Sequence, residues 1–253
     1  MISATAVDGL PEVTPGTDLG ELITALVARW PPAEQLGPGD VVVIAHKVVS
    51  KAEGRLRRLT EVTPSARALE LAATGNRDPR LVQVVLDESR TLVRATAAVL
   101  VVETHHGFVC ANAGVDRSNV AGEDTALLLP SDPDRSARSI RDRIRELTGV
   151  APGVVITDSF GRAWRNGQVD VAVGLAGVAA LDDWRGRTDA NGREMHATVI
   201  AVADLMAGAA DLARRKDAHQ PVVVIRGAGE YVTAGHGPGV APLLRERSRD
   251  LFR

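Results

Sequence analysis

The sequence predicts an α+β fold with mixed β-sheets and flanking helices. Apolar, β-branched runs typical of buried strands occur at 39–50, 153–158 and 221–227, and amphipathic helical patterns lie between them. Strands, a hairpin and helices follow one another without a regular βαβ period, which argues against a Rossmann or TIM-barrel layout. Aromatic residues make up only 3% of the chain, so we expect a core of Val, Ala, Leu and Gly with closely packed backbones.

The first half of the chain predicts one strand, two helices and a hairpin. The run GDVVVIAHKVVS (39–50) is typical of a fully buried strand that leaves into a polar loop with two lysines. A helix is predicted over 65–74, and a second begins with Asp78 as its cap and Pro79 in its first turn. Apolar runs on both sides of HHG (105–107) have the spacing of a hairpin.

The second half predicts alternating helices and strands. An exposed amphipathic helix covers 132–149 and stops at its final glycine. A strand at 153–158 is followed by an apolar, Gly-rich segment at 169–181, which is either a core strand or a dimer seam. Most of 198–216 is expected to be helical, and 221–227 is the last predicted strand.

Composition restricts the class of protein. The chain of 253 residues has 30 basic and 32 acidic residues, so its net charge of −2 gives no field that would recruit nucleic acid or an anionic membrane. No apolar run approaches the roughly 20 residues of a membrane helix. Cys110 is the single cysteine, and the first residues lack the pattern of a signal peptide, so we expect a cytoplasmic protein.

The chain is expected to form one catalytic domain over 1–253, with two intertwined lobes as an alternative description. The stretch LLPSDPDRS (128–136) is dense in Pro, Ser and Asp, and is one place where the chain could pass between lobes.

Several common sites are excluded by their missing motifs. The phosphate-binding loop GxxxxGK[ST] is absent, and the glycine clusters at 226–230 and 235–239 do not complete GxGxxG. His46, His105 and His106 lack the spacing of a zinc site, and no GxSxG motif supports a serine hydrolase.

Oxygen-bearing side chains follow two of the predicted buried segments. Asp116, with Ser118 and Asn119 close behind it, comes after one apolar run, and Asp158 and Ser159 come after another. Carboxylates with neutral oxygens suit Mg²⁺ or Mn²⁺, which fill their remaining positions with water and phosphate. The same residues are also common in turns at strand ends, where they bond to their own backbone.

Basic residues near these acids could bind an anion. Arg162 and Arg165 lie three residues apart among glycines, where guanidinium groups can hold phosphate or carboxylate bidentately. Lys47 and Lys51 follow another buried strand and could neutralise a phosphate. The alternative is that all four are solvated surface groups.

Six stretches in order resemble the coenzyme F420-0:L-glutamate ligase family, also called γ-glutamyl ligase. The resemblance spans nearly the whole chain, and its most distinctive stretches are HHGFVCANAGVDRSNV (105–120) and ITDSFGRAWRNGQVDVAVG (156–174). It implies that GTP phosphorylates the lactyl carboxylate of F420-0 and that the amine of L-glutamate displaces phosphate. It further implies a two-lobed homodimer with Mn²⁺ or Mg²⁺ at the nucleotide phosphates, and K⁺ as a further candidate ion.

The resemblance also implies roles for individual residues. Asp116 and Asp158 match metal-binding acids, Ser159 matches a hydroxyl that reaches a second metal, and Glu230 is a looser candidate for a further ligand. Lys51, Arg162 and Arg165 are the candidate catalytic residues, the arginines assigned to anions from their own chemistry. The candidate nucleotide-binding residues are Leu10, Pro11, Glu12, Val13, His46, Lys51, Asn119, Gly227 and Gly229.

Some positions depart from the family pattern. His46 stands where serine or glutamate is commoner, and Val199 and Leu205 stand where acidic residues often occur. The nitroreductase-like domain that some bacterial relatives carry after the ligase domain is not in this sequence, which fits a stand-alone ligase or the first domain of a two-domain form. Two alternatives stay open: a non-catalytic nucleotide or deazaflavin-binding homologue, and a ligase acting on another acid and amine.

Overall fold

The computed structural model describes residues 1–117, 124–215 and 217–251, and it has the α+β fold that the sequence predicts. The strands in chain order are β1 (Ser3–Ala6), β2 (Val41–Ala45), β3 (Leu56–Arg58), β4 (Ser89–Ala95), β5 (Leu100–Thr104), β6 (Val109–Ala111), β7 (Thr125–Leu127), β8 (Gly153–Arg162), β9 (Arg165–Ala176), β10 (Asp182–Asp183), β11 (Val199–Ile200) and β12 (Val222–Arg226). The α-helices are α1 (Leu19–Val27), α2 (His46–Ala52), α3 (Ala66–Gly75), α4 (Pro79–Asp87), α5 (Pro133–Thr148) and α6 (Val202–Ala213).

A mixed sheet of five strands organises the fold. Its strand order is β1, β12, β2, β8 and β9, and β2 with β8 is the one parallel pair among them. The strands β2 and β12 are buried except for their last residues and read as continuous Val and Ile runs, as expected for strands covered on both faces. Helices α5 and α6 both pack on β9, and α1 packs on α5.

The apolar core has one large cluster and two smaller ones. The large cluster surrounds the five-stranded sheet, while the smaller ones lie beneath α3 and α4, next to the sheets β4-β5-β6 and β3-β7. Leu128 belongs to a small cluster and its neighbour Leu129 to the large one. The stretch at 128–136 therefore joins the separate cores.

Most predicted helices have the predicted caps. Ser65 caps α3 at its start and Asn76 ends it in the left-handed conformation, Asp78 caps α4, and Gly149 ends α5 with a φ of 76°. The hairpin around HHG is also confirmed, since β5 and β6 pair on either side of it. The helix starts are specified by side chains that accept nearby N–H groups, and the helix ends by residues that adopt the left-handed conformation. Both signals are local and can be read directly from the sequence.

Two predicted strand ends are wrong. The polar loop expected after the first strand is a helix, because β2 ends at Ala45 and α2 begins at His46 without a connection. The strand at 153–158 does not end at Asp158 but continues to Arg162 and turns into β9 as a long hairpin. The Gly-rich segment at 169–181 is largely a core strand.

A bulge in this hairpin is held by two carboxylates. The pairing of β8 with β9 shifts by one residue between Ile156 and Thr157. Asp204 of α6 accepts the N–H of Ala172 at 2.9 Å, and Asp134 of α5 accepts the N–H of Leu175 at 2.8 Å. Strand β9 lies at the edge of the sheet, and its buried N–H groups need hydrogen-bond acceptors. Because no further strand pairs with β9 on that side, the carboxylates of the two helices act as the acceptors.

Removal of one of these carboxylates should destabilise the fold. Asp134→Ala leaves the N–H groups of Leu175 and Val240 without their acceptor, at about 1 to 3 kcal/mol for each group. Asp134→Asn is the matched control, because its amide oxygen can still accept. Urea denaturation should place the Ala variant about 2 kcal/mol or more below the Asn variant, and equal midpoints for the two would contradict this role.

The same carboxylate should give the stability a pH dependence. Burial raises the pKa of Asp134 above its ordinary value, so the folded state holds a proton to higher pH than the unfolded chain. The contribution of this group to the free energy of unfolding therefore falls as pH rises above about 3.8. The Asn variant does not titrate at this position. The difference in free energy of unfolding between Asp134→Asn and the native protein should therefore favour the variant more at pH 7 than at pH 4, and urea denaturation at both pH values would measure it.

Candidate active site

A cavity of about 430 Å³ opens at the carboxyl end of β2, beside β8 and the amino end of β12. Its walls come from the segment before α1, the first turns of α2, the middle of β8 and the segment after α6. The predicted site residues in these walls are Leu10, Pro11, Glu12, Val13, His46, Lys51, Asp158 and Ser159. Stretches far apart in sequence thus meet at one place.

Asp158 and Ser159 lie inside β8, so the turn interpretation is wrong for them. Asp158 Oδ1 accepts the backbone N–H of Ser159 at 2.8 Å, and Ser159 lies directly opposite Asp170 of β9. Asp158 is 15% exposed, enough for its carboxylate to face the cavity while the strand holds its backbone. A rigid strand positions such groups more accurately than a loop would.

His46 is buried beside this carboxylate. Its Nδ1 lies 3.3 Å from Ser50 Oγ, one turn along α2. Its Nε2 lies 3.3 Å from Asp158 Oδ1, within ion-pair distance, but the angle does not suit a hydrogen bond and the atom has no hydrogen-bond partner. A buried ring nitrogen without such a partner is costly in a structure that serves packing alone.

The two cavity lysines are paired with acids. Lys51 Nζ lies 2.6 Å from Glu12 Oε1, and Lys47 Nζ lies 2.5 Å from Asp116 Oδ2. Asp116 itself exchanges backbone hydrogen bonds with Leu127, which fixes its position beside β7. The structure therefore connects Asp116 to the cavity through Lys47, while Ser118 and Asn119 fall outside the described residues.

The arginines of the β8–β9 hairpin lie away from the cavity. Arg162 and Arg165 are cross-strand partners at the tip, both exposed, and Arg162 Nη2 donates to the carbonyl of Asn166 at 2.6 Å. Trp164 closes the turn with a φ of 60° and is 78% exposed. Neither arginine lines the cavity, so their contact with an anion stays a prediction.

The glycine cluster after β12 lies at the other end of the sheet. Pro221 lines the cavity, while Gly227, Gly229 and Glu230 follow the far end of this five-residue strand, roughly 15 Å away. There Gly229 packs against Gly39, and a Cβ added to Gly39 would lie 3.3 Å from the Gly229 Cα. Within one chain the structure does not bring these residues to the cavity, and their nucleotide and metal roles stay predictions.

A buried polar network in the cavity wall was not predicted. Thr157 Oγ1 donates to Asp170 Oδ2 at 2.7 Å, Ser159 Oγ donates to Asp170 Oδ1 at 2.6 Å, and Arg214 forms a short ion pair with Asp170. Asp170 and Arg214 are 3% and 8% exposed. In the sequence, each appears only as a charged residue beside a separate apolar run, which does not say that the two meet.

The oxygen atoms of the cavity suit a cation whose remaining ligands are water and phosphate. The described residues contain no cluster of three or more His, Cys, Asp or Glu that could cage a metal. Asp158 supplies a carboxylate and Ser159 a hydroxyl whose proton already points to Asp170. Mg²⁺ and Mn²⁺ are commonly held by one or two such groups with water and phosphate, so the residues present fit a metal bound together with a nucleotide.

Sequence comparison decides the family. The sequence model of the F420-0:Gamma-glutamyl ligase family matches residues 9–227. The chain belongs to this family. The resemblance read from the motifs is therefore confirmed, and the matched range contains all the site residues discussed above except Gly229 and Glu230.

Archaeal relatives match over almost their whole length. The protein named coenzyme F420:L-glutamate ligase in Methanopyrus kandleri is 46% identical to this chain, and the alignment covers 96% of this chain and 94% of the relative. The protein of the same name in Methanothermobacter thermautotrophicus is 44% identical, and the alignment covers 100% of this chain and 99% of the relative. The protein of that name in Methanocaldococcus jannaschii is 42% identical over 91% and 90%.

Within 1–117, 124–215 and 217–251, none of the helices combines the length and apolar content that a bilayer crossing requires.

Proposed function

We propose that the protein is a GTP- and divalent-metal-dependent ligase that adds L-glutamate to coenzyme F420-0 and gives γ-glutamylated F420. The relatives that match this chain from end to end carry the name of a coenzyme F420:L-glutamate ligase. A single cavity supports the proposal, because it holds a carboxylate, an acceptor hydroxyl and two lysines, the groups that phosphoryl transfer uses.

The chemistry requires activation of a carboxylate. A carboxylate oxygen of F420-0 attacks the γ-phosphorus of GTP and GDP leaves, which gives an acyl phosphate. The amine of glutamate then attacks the acyl carbon, phosphate departs with the C–O bond electrons, and the amine loses a proton to form the amide. Both steps are accelerated by groups that bind phosphate oxygens and hold the reactants in line.

The acids of the cavity are assigned to a divalent metal, Mn²⁺ or Mg²⁺. When bound, the metal would spread the negative charge of the phosphate oxygens. Asp158 and Ser159 would hold it with phosphate and water. Lys47 pairs with Asp116, and if the metal took the place of Lys47 at this carboxylate, Lys47 could bind a phosphate oxygen.

The nucleotide is assigned to the same cavity. The backbone of 10–13 forms one wall, and Lys51, which is 13% exposed, can leave Glu12 for a phosphate oxygen because Glu12 is 71% exposed and well solvated. His46 would contact the nucleotide beside Asp158. Asn119 remains a proposed contact, and K⁺ a proposed further ion.

The hairpin arginines are assigned to the second substrate. Arg162 and Arg165 lie outside the cavity, which suits the phosphodiester and carboxylate of F420-0 better than the γ-phosphate of GTP. A homodimer and a cytoplasmic location belong to the same proposal. The near-neutral charge of the chain supports a small-molecule enzyme with no nucleic acid or membrane partner.

The activity should depend on Asp116 and Asp158. With Mn²⁺, GTP, F420-0 and L-glutamate, the native protein should release phosphate and give a product heavier by one or more glutamyl units, seen by mass spectrometry. Asp116→Asn and Asp158→Asn should each lower kcat about 100-fold or more, because a charge that stabilises the transferring phosphate is lost. Asp183→Asn, an exposed acid paired with Arg185, is the matched control.

The outcomes separate the alternatives. Binding of GTP and F420-0 without phosphate release would identify a binding protein and overturn the ligase assignment. Phosphate release that needs an acid or amine other than F420-0 and glutamate would retain the chemistry and change the substrate. Full activity of both Asn variants would remove these acids from the mechanism.

Lys51 and Arg162 should affect different substrates. Lys51→Met removes a charge-assisted contact to phosphate in the cavity and should raise the KM for GTP roughly tenfold or more. Arg162→Met should instead raise the KM for F420-0 and change the KM for GTP less than about twofold, because the hairpin tip lies outside the cavity. Steady-state kinetics with each substrate varied in turn would measure both, and the reverse pattern would contradict the assignment.

A further inference from the structure

An ion pair that the proposed mechanism does not use lies directly beneath Ser159. Asp170 and Arg214 come from β9 and from the residue after α6, and both are more than nine-tenths buried. Complete burial of an ion pair brings little net stability, because desolvation costs about as much as the attraction returns. Its position next to the cavity therefore calls for a role beyond folding.

The hydrogen bonds fix the direction of the Ser159 hydroxyl. A serine hydroxyl has one proton and can donate one hydrogen bond. An ionised carboxylate only accepts, so the 2.6 Å contact between Ser159 Oγ and Asp170 Oδ1 uses that proton. On the cavity side, Ser159 Oγ can then accept a hydrogen bond or bind a cation, but it cannot donate to a phosphate oxygen.

Arg214 fixes the carboxylate that sets this direction. Its guanidinium pairs with Asp170 Oδ2 and donates to Thr157 Oγ1 at 2.8 Å, and Thr157 in turn donates to Asp170 Oδ2. Because Oδ2 is bound by Arg214 and Thr157, Oδ1 is directed at Ser159. Arg214 is itself anchored by the Pro221 carbonyl at 3.4 Å and lies 3.8 Å from Asp211.

We propose that Asp170, held by Arg214, is a positioning residue that makes Ser159 an acceptor-only ligand for a divalent cation. The inference rests on the proposed function, which places that cation at Asp158 and Ser159. A carboxylate behind a hydroxyl ligand both orients the lone pairs and makes the oxygen more basic, as outer partners of metal ligands generally do. The network also disfavours a phosphate oxygen directly on Ser159.

Asp170→Asn tests the hydrogen-bond direction with little change in shape. The amide oxygen would turn to the Arg214 guanidinium, and the amide nitrogen would donate to Ser159. The Ser159 proton would then point into the cavity, where it repels a cation. We expect the affinity for Mn²⁺, titrated by electron paramagnetic resonance in the presence of GTP and without F420-0, to fall about tenfold.

A double-mutant cycle shows whether Asp170 acts through Ser159. In a Ser159→Ala background Asp170→Asn should lower Mn²⁺ affinity less than about twofold, because the hydroxyl it orients is gone. Asp183→Asn, an exposed acid that pairs with Arg185 and has no contact with this network, is the control and should leave Mn²⁺ affinity unchanged. Equal losses from Asp170→Asn in both backgrounds would overturn the positioning role.

A second variant keeps the test usable if Asp170→Asn does not fold. Asp170→Asn leaves the buried Arg214 charge with only the more distant carboxylate of Asp211 at 3.8 Å, which is a costly arrangement. If that variant does not fold, Asp170→Asn combined with Arg214→Met removes both charges and is compared in the native and Ser159→Ala backgrounds. Thermal unfolding of every variant establishes that folded protein is titrated.

Failure of the inference and failure of the proposed function give different results. If the native protein binds no Mn²⁺ with GTP present, the proposed metal site is wrong, and the positioning role falls with it. If the native protein binds Mn²⁺ and Ser159→Ala weakens binding, but Asp170→Asn does not, the metal site stands and the inference alone is overturned.

Discussion

Asp134 and Asp204 reach β9 from two different helices and bind the N–H groups on both sides of the bulge. Their hydrogen bonds hold a one-residue shift in the pairing of β8 with β9. Without that shift Ser159 would face Val171, and Asp170 would not lie opposite it. A one-residue change of register moves every side chain of a strand to the opposite face. The polar wall of the cavity therefore depends on these two carboxylate to backbone hydrogen bonds.

The cavity is also arranged so that its charges oppose one another before any substrate arrives. Lys51 faces Glu12, Lys47 faces Asp116, and Arg214 faces Asp170. The first two pairs are partly exposed and cost little to separate, whereas the third is buried and stays closed. The site therefore combines groups that can change partners with a fixed network that holds the strand beneath them.

Sequence reasoning succeeded where the signal is local. The caps of α3, α4 and α5 are single residues that bond to nearby backbone, and they were readable from the chain. It failed at α2, because Val48 and Val49 continue the β-branched pattern of β2 and the helix is imposed by tertiary packing. Asp158, Ser159 and Lys51 were suggested by their position after predicted strands and given roles by the family resemblance, and the cavity brings them together.

Asp170 and Arg214 could not be found in the same way. They are separated by 44 positions, and their contact depends on the bulge, on the packing of α6 against β9 and on where α6 ends. None of these follows from residue patterns, since a one-residue change in register would separate the pair. Long-range partners of this kind require the fold to be known first.

The tip of the β8–β9 hairpin has an optical consequence. The aromatic side chains are few. The Trp30 and Trp184 rings are half-buried next to the guanidinium groups of Arg226 and Arg187, and Trp30 packs against the large core cluster. Trp164 stands at the free end of the ribbon in contact with water. The ribbon therefore carries a natural label at its tip, whose emission colour changes when another surface covers it.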